Sequence, residues 1–229
     1  MSCISENIAL VRENIAKASA GRPVKLLAVS KTFSVSMIEE AVCGNQFCFG
    51  ENYAQEGSAK VDYFSEHFPG LKIEWHFIGP LQSNKTRLVA ERFQWVQSID
   101  RLKIALRLNE QRPKTMAPLN ILVEVNIDDE KTKSGVRVEE LSEFLSQLVN
   151  LSNLRLRGLM CIPKADADDA QKRETFRAMK KLFDQCVSQG YAMDTLSMGM
   201  SADYTIAIEE GATLVRVGSS IFGVRNYSK

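Results

Sequence analysis

Histidine is scarce: His67 and His76 are the only two. The cysteines Cys3, Cys43, Cys48, Cys161 and Cys186 are odd in number and scattered, with no Cys-x-x-Cys pair. Without clustered thiols or imidazoles a structural zinc site is not expected. The same pattern reads as reduced thiols, and a cytoplasmic location is expected. Charge of one sign is missing too. The 29 Lys and Arg against 28 Asp and Glu leave a net charge of +1. That argues against nucleic acid as a partner, because neutralising phosphates needs a basic surplus. No apolar run approaches the roughly 20 residues of a membrane span. Glu6, Arg12, Glu13 and Lys17 interrupt the stretch where a secretory signal needs an apolar core. Low-complexity tracts and repeats of solenoid period are absent.

What is present is ordinary for a globular chain. Hydrophobic residues make up 45% and charged residues 25% of the 229 residues. One unit of this length buries roughly 70% of its unfolded surface, enough for a core without staples. Strand-type runs recur throughout: Lys25–Ser30, Gln46–Asn52, Glu74–Gly79, Trp95–Asp100, Asn120–Ile127, Leu154–Ile162, Thr195–Met200 and Thr213–Phe222. Several are almost continuously apolar, as strands buried on both faces are. Helical periodicity lies between them. Val35–Cys43 follows Ser34 as N-cap. Glu139–Val149 and Gln171–Gln189 each carry an apolar face, the second closing at Gly190. Ala202–Glu210 ends at Gly211, and weaker patterns cover Tyr53–Phe64, Ser83–Phe93 and Arg101–Asn109. Strands alternating with helices predict one (β/α)8 TIM barrel over residues 1–229, with an open doubly wound sheet as the rival. Only seven residues follow Phe222, too few for a closing helix. An extra N-terminal helix with Ile8, Val11 and Ile15 on one stripe is expected to fill that gap. Asp166–Asp169 reads as a solvated loop.

In such a barrel, binding groups sit at the C-terminal ends of the strands. The first strand runs into Lys31, whose amine, once desolvated, can attack a carbonyl; the bland alternative is a lysine turning to solvent. The second ends in Gly50-Glu51-Asn52. The third leads through Gly79 and Pro80 to Gln82, Asn84 and Lys85. His76, inside that strand, reads as a packed, half-buried aromatic rather than a base. The loop with Lys131, Lys133 and Ser134 reads as solvated and outside the site. The seventh strand passes through Met198 to Ser201, expected at a helix N-terminus, where free N–H groups favour an anion. The eighth contains Arg216, an arginine in an apolar strand that needs a carboxylate or a ligand atom as partner. Gly218 and Ser219 follow it. A phosphate site after the last two strands, a lysine after the first and an interior arginine together describe a covalently held phosphorylated carbonyl compound. Pyridoxal phosphate (PLP) fits that description.

The segments AVSKT, FGEN, HFIGPLQSNK, KSGV, RGLM, LSMGMSAD and RVGSSIFG, in this order over nearly the whole chain, resemble the pyridoxal phosphate homeostasis proteins. These are the alanine-racemase N-terminal-domain-like family. The resemblance implies a fold-type III PLP barrel, with PLP as cofactor and as a Schiff base on Lys31. It implies Arg216 facing the pyridine nitrogen, Ser201 with the Gly218 and Ser219 backbone on the phosphate, and Asn52 and Met198 lining the cofactor. Relatives often carry a second lysine two positions after the first; here that position is Phe33. The implied role is PLP buffering and delivery within the cell, with PLP-dependent apo-enzymes as partners and no robust catalysis. Two alternatives stand beside it: a racemase-like PLP enzyme, and an aldolase-like barrel acting on a phosphosugar. The aldolase reading leaves Arg216 without a task. Racemases of this fold take a second acid/base from an added β domain, which is not expected in this chain. A monomer is expected, with no membrane or nucleic-acid partner.

Overall fold

The computed structural model describes residues 3–130 and 133–224. Lys131, part of the loop set aside above, lies outside them. The chain alternates from the start: α1 (Ile4–Ser19), β1 (Lys25–Val29), α2 (Val35–Cys43), β2 (Cys48–Glu51), α3 (Ala54–His67), β3 (Glu74–Phe77), α4 (Thr86–Arg92), β4 (Trp95–Ile99) and α5 (Leu102–Gln111). Then follow β5 (Leu119–Asn126), a two-residue β6 (Val136–Arg137), α6 (Leu141–Leu148), β7 (Leu154–Met160), α7 (Asp169–Ser188), β8 (Thr195–Met200), α8 (Tyr204–Glu209), β9 (Leu214–Val217) and α9 (Ser219–Phe222). The strands pair in the order β4-β3-β2-β1-β9-β8-β7-β5, and β4 pairs with β5 to close the ring. The pairings are parallel. This is the eight-stranded barrel the sequence predicts, with β6 as a short addition beside β5.

The main apolar core lies between strands and helices. Phe49, Phe77, Phe93 and Phe176 are fully buried there, each stabilising by about 1.5–3 kcal/mol relative to exposure. The barrel interior is different. Two small apolar clusters, Leu27/Cys48/Leu214 and Trp95/Leu122/Met160, flank buried polar side chains on the same inward parity. Those polar groups are His76, Gln97, Ser197 and Arg216.

The N-terminal helix does fill the place of a closing one. In α1, Ile4, Ile8, Val11 and Ile15 are buried on one stripe. Asn7 Nδ2 donates to the Ile221 carbonyl at 2.9 Å, and Asn14 Nδ2 reaches Tyr204 Oη at 3.2 Å. On its other flank the Ile4 N–H donates to Glu40 of α2 at 2.8 Å.

Five expectations need correction or refinement. The last strand stops at Val217, and Ser219–Phe222 is a helical turn, because Gly218 and two serines interrupt the apolar run. The α8 helix begins at Tyr204, with Asp203 as N-cap, so Ser201 lies in the preceding turn rather than at the helix N-terminus. Ser34 is the N-cap of α2, but its hydroxyl pairs with Ser36 at 2.8 Å and makes no cap bond. His76 is fully buried inside the barrel, not half-buried. The Asp166–Asp169 stretch contains the α7 cap: Asp168 accepts from the Gln171 N–H at 2.8 Å, and Gln171 answers at 2.9 Å.

Candidate functional site

Lys31 stands two residues after the end of β1, at the C-terminal mouth of the barrel. Its neighbours are held from several sides. The Ser30 N–H donates to Gly50 of β2 at 3.0 Å. The Ser30 carbonyl accepts from Lys60 Nζ at 2.8 Å. Thr32 stands at φ 67°, a left-handed conformation costly for a β-branched residue. Its N–H donates to Glu56 at 2.6 Å. Strain of this kind persists only where the surroundings over-determine it, and here Lys60 and Glu56 do so.

Lys60 is the centre of that support. Besides the Ser30 carbonyl it contacts Glu51 at 2.9 Å and Glu56 at 2.6 Å. Ser30 Oγ donates to the same Glu51 oxygen at 2.6 Å. Burial pushes the Glu51 carboxyl up, while the Lys60 ammonium opposes the shift. Sequence reasoning passed over Lys60. The signals were a carboxylate at the end of a buried strand, which requires a cation, and the Glu56/Lys60 spacing on α3.

Asn52 follows β2. Its Oδ1 is buried and makes no hydrogen bond within the protein. Gly79 packs against it so closely that a Cβ there would lie 2.3 Å from the Asn52 carbonyl oxygen. Clefts of about 420 and 310 Å³ border Asn52; the first contains Gln82 and Lys85, the second Glu124, Lys133 and Ser134. Burial, reinforced by Asp100, raises the Glu124 carboxyl to about 7, against the pull of Arg216 and Lys133. Sequence reasoning did not single out Glu124. Lys133 is not merely solvated: it donates to the Pro163 carbonyl at 2.9 Å and pairs with Glu130 at 2.5 Å.

The loops after β8 and β9 meet. The Gly218 N–H donates to Ser201 Oγ at 3.1 Å, which leaves the serine its own hydroxyl hydrogen to donate outward. A Cβ on Gly218 would come 3.2 Å from the Val29 carbonyl, so this backbone rides directly on the end of β1. Ser219 opens the short α9 and is exposed. Its N–H is one of the first-turn donors that a helix leaves unpaired. Phe33 stacks on Phe222 at 5.0 Å and ties the loop after β1 to α9.

Arg216 is buried inside β9. Its partners are neither a carboxylate nor a ligand atom: NH1 donates to the Ser197 carbonyl at 3.0 Å and to Ser197 Oγ at 2.7 Å, and NH2 to the Cys161 carbonyl at 2.9 Å. A guanidinium carries five N–H donors, so these three bonds orient it without exhausting it. Lys31, Ser201, Arg216, Gly218 and Ser219 thus come from three adjacent strands, β1, β9 and β8. Met198 is placed differently. It is fully buried in the layer between strands and helices, on the parity opposite to Ser197.

These features define a (β/α)8 protein with a lysine after its first strand, a donor cradle after its last two and an inward arginine between them. The alanine racemase N-terminal domain family matches residues 2–226. The pyridoxal phosphate homeostasis protein of Haemophilus influenzae is 50% identical over 232 residues, covering 98% of this chain and 97% of that protein. PipY of Synechococcus elongatus, solved with PLP bound, is 32% identical, with a TM-score of 0.84 over 96% of this chain and all of that one. Alanine racemase of Corynebacterium glutamicum shares the fold, with a TM-score of 0.74 at 16% identity over 97% of this chain and 61% of its own. The chain belongs to the pyridoxal phosphate homeostasis protein family.

Proposed function

We propose that this protein binds PLP across the barrel mouth, holds it covalently through the Lys31 amine, and serves PLP homeostasis by buffering and delivering it. The observation that carries the reading is the juxtaposition of Lys31, Arg216 and the Ser201–Gly218 contact on neighbouring strands. It is supported by the full-length likeness to PipY with PLP bound. When bound, PLP supplies an aldehyde that condenses reversibly with primary amines. The residues present fit such a group. Ser201 and the Ser219 N–H offer donors to a phosphate, and Gly218 lets it approach the backbone. The orphaned Asn52 Oδ1 awaits a polar partner. Arg216 has N–H donors left for a ring nitrogen. The side chain of Met198 points away from this mouth, so any part it plays in lining the cofactor is through its backbone.

Arginine donates a hydrogen bond without giving up its proton. It therefore leaves a ring nitrogen unprotonated, which weakens the electron sink that racemisation needs. This favours carriage over turnover. The wider reading is of a cytoplasmic monomer whose recipients are PLP-dependent apo-enzymes. Among the described residues no helix is long and apolar enough to cross a membrane.

The test is an absorption spectrum of the purified protein and of Lys31→Ala, before and after borohydride. A visible band in the wild type alone, trapped by reduction onto Lys31, is expected. Protein that stays colourless with added PLP overturns the reading. A sustained racemase rate, abolished in Lys31→Ala, turns the carrier into an enzyme.

A further inference from the structure

We propose that Gln97 and His76 are positioning residues for Arg216: a chain of hydrogen bonds buried in the barrel fixes the guanidinium and so the way it meets the cofactor ring. The inference rests on the PLP reading above, but the chain itself does not. It runs from Arg216 NH1 to Ser197 Oγ at 2.7 Å and from Ser197 Oγ to Gln97 Oε1 at 2.7 Å. It continues from Gln97 Nε2 to His76 Nδ1 at 2.9 Å and from His76 Nε2 to Glu74 Oε1 at 2.6 Å. Lys25 Nζ closes it on the same Glu74 oxygen. Ser197, Gln97 and His76 are each 0% exposed.

The two ends dictate the direction. Arginine has no lone pair, so Ser197 Oγ must accept from it and pass its own hydrogen to Gln97 Oε1. The Gln97 amide then presents its N–H to His76, whose Nδ1 must accept. His76 therefore carries its hydrogen on Nε2 and gives it to Glu74, a carboxylate that only accepts. With His76 neutral, each link is in register with the next; a flipped Gln97 amide would draw the imidazole hydrogen to Nδ1 and leave Nε2 with none for the Glu74 carboxylate. His76 lies flat against Trp95 at 5.0 Å and 9°, which fixes the ring plane. Burial holds His76 in its neutral form against the pull of Glu74, as the chain requires. Cys48, Glu74 and His76 approach one another like metal ligands. The Lys25 ammonium already sits on Glu74, however, and the trio is the anchored end of the chain. Arg216 therefore cannot swing towards or away from a ring nitrogen without breaking bonds that reach the opposite end of the barrel.

The experiment uses the full chain, with and without PLP. His76→Leu and Gln97→Leu interrupt the chain. His76→Asn restores an acceptor close to the lost Nδ1. The absorption and fluorescence of bound PLP, its dissociation constant and the melting temperature are recorded together. Both Leu variants are expected to shift the cofactor band and weaken PLP binding about tenfold, the worth of one well-made hydrogen bond. His76→Asn is expected to return both towards wild type. Leu122→Ala, an apolar interior change outside the chain, is expected to lower the melting temperature and leave the band unmoved. In the PLP-free protein, nitrogen NMR is expected to find the His76 hydrogen on Nε2. A hydrogen on Nδ1 overturns the chain, as does a folded Gln97→Leu with an unshifted band. If the wild type takes up no PLP, the PLP reading fails, while the NMR result still decides the chain. If both Leu variants fail to fold, His76→Asn and the NMR result decide.

Discussion

Lys60→Met tests whether the turn carrying Lys31 rests on a buried charge. Lys60 and Glu51 are 6% and 0% exposed along their side chains. Removing one partner of a buried pair costs about 3–5 kcal/mol. Glu51 has one escape, which is to take up a proton. From an unfolded pKa of about 4.3, protonation at pH 7 costs about 3.7 kcal/mol, at about 1.36 kcal/mol per pH unit. The charge contribution to the loss is therefore capped near 4 kcal/mol at pH 7 and falls to about 1 kcal/mol at pH 5. The sign follows from the raised carboxyl. With the folded pKa above the unfolded one, the folded state binds the extra proton, so stability is present at low pH and lost as pH rises. Lys60→Met should thus be weakest in alkaline solution and approach wild type on acidification. Glu51→Gln added to Lys60→Met should remove most of that pH dependence, because the amide has no charge to strand. Urea unfolding followed by the fluorescence of Trp75 and Trp95 measures both. PLP binding should weaken as well, since the Ser30 carbonyl loses Lys60. A Lys60→Met protein within 1 kcal/mol of wild type at pH 7, or a deficit that ignores pH, would refute the reasoning.

The remaining expectations are narrower. Gly79→Ala places a methyl 2.3 Å from the Asn52 carbonyl oxygen, so the loop must shift; a loss of about 1–3 kcal/mol in urea unfolding and a weaker hold on PLP are expected. Glu124, raised to about 7, should contribute stability that is present below its unfolded pKa and lost as pH rises through about 7. Glu124→Gln should flatten that part of the stability profile, and an unchanged profile counts against a raised carboxyl. Phe33→Ala removes the stack on Phe222 and should cost about 0.5–1.5 kcal/mol beyond the lost burial, read by comparison with Phe222→Ala and the double variant.

The barrel was legible because its strands are short apolar runs separated by helices with clear faces. Boundaries such as Val35–Cys43 and Thr195–Met200 coincide with the observed elements. Positions at the mouth were legible for a related reason: once strand ends are located, Lys31, Asn52, Ser201 and Gly218 fall just after them, with Arg216 inside the last strand. What stayed hidden was pairing across the ring. Gln97 in Trp95-Val96-Gln97 looks like an ordinary polar alternation, and nothing local shows that its amide meets both Ser197 and His76. Lys60 sits on a helix of mixed character and resembles a solvated lysine until Glu51 and Ser30 are brought beside it. Met198 was expected to line the cofactor; its side chain lies in the layer between strands and helices, and a run of Leu, Ser, Met and Gly does not announce which parity points inward. Ser197, next to it, takes that role.

The supports proposed for the cofactor differ in burial, and the difference bears on exchange. The ring end would meet Arg216, which is tied through fully buried groups to the far end of the barrel. The covalent end would rest on a strained turn locked by a buried ion pair. The phosphate end is lighter. The two loops that would hold it are joined by the Ser201–Gly218 bond, and Ser219 and Ser220 face solvent. Charge-assisted contacts made at a wet surface are screened by salt and water, and they add less residence than buried ones. A ligand gripped firmly at its ring and lightly at its phosphate can be approached from the phosphate side without opening the barrel. An incoming amine then needs only to compete with Lys31 for the aldehyde carbon. An enzyme that must shield a reactive intermediate from water gains from the opposite arrangement. The gradient of burial across the mouth therefore argues for release and uptake as the task of this site.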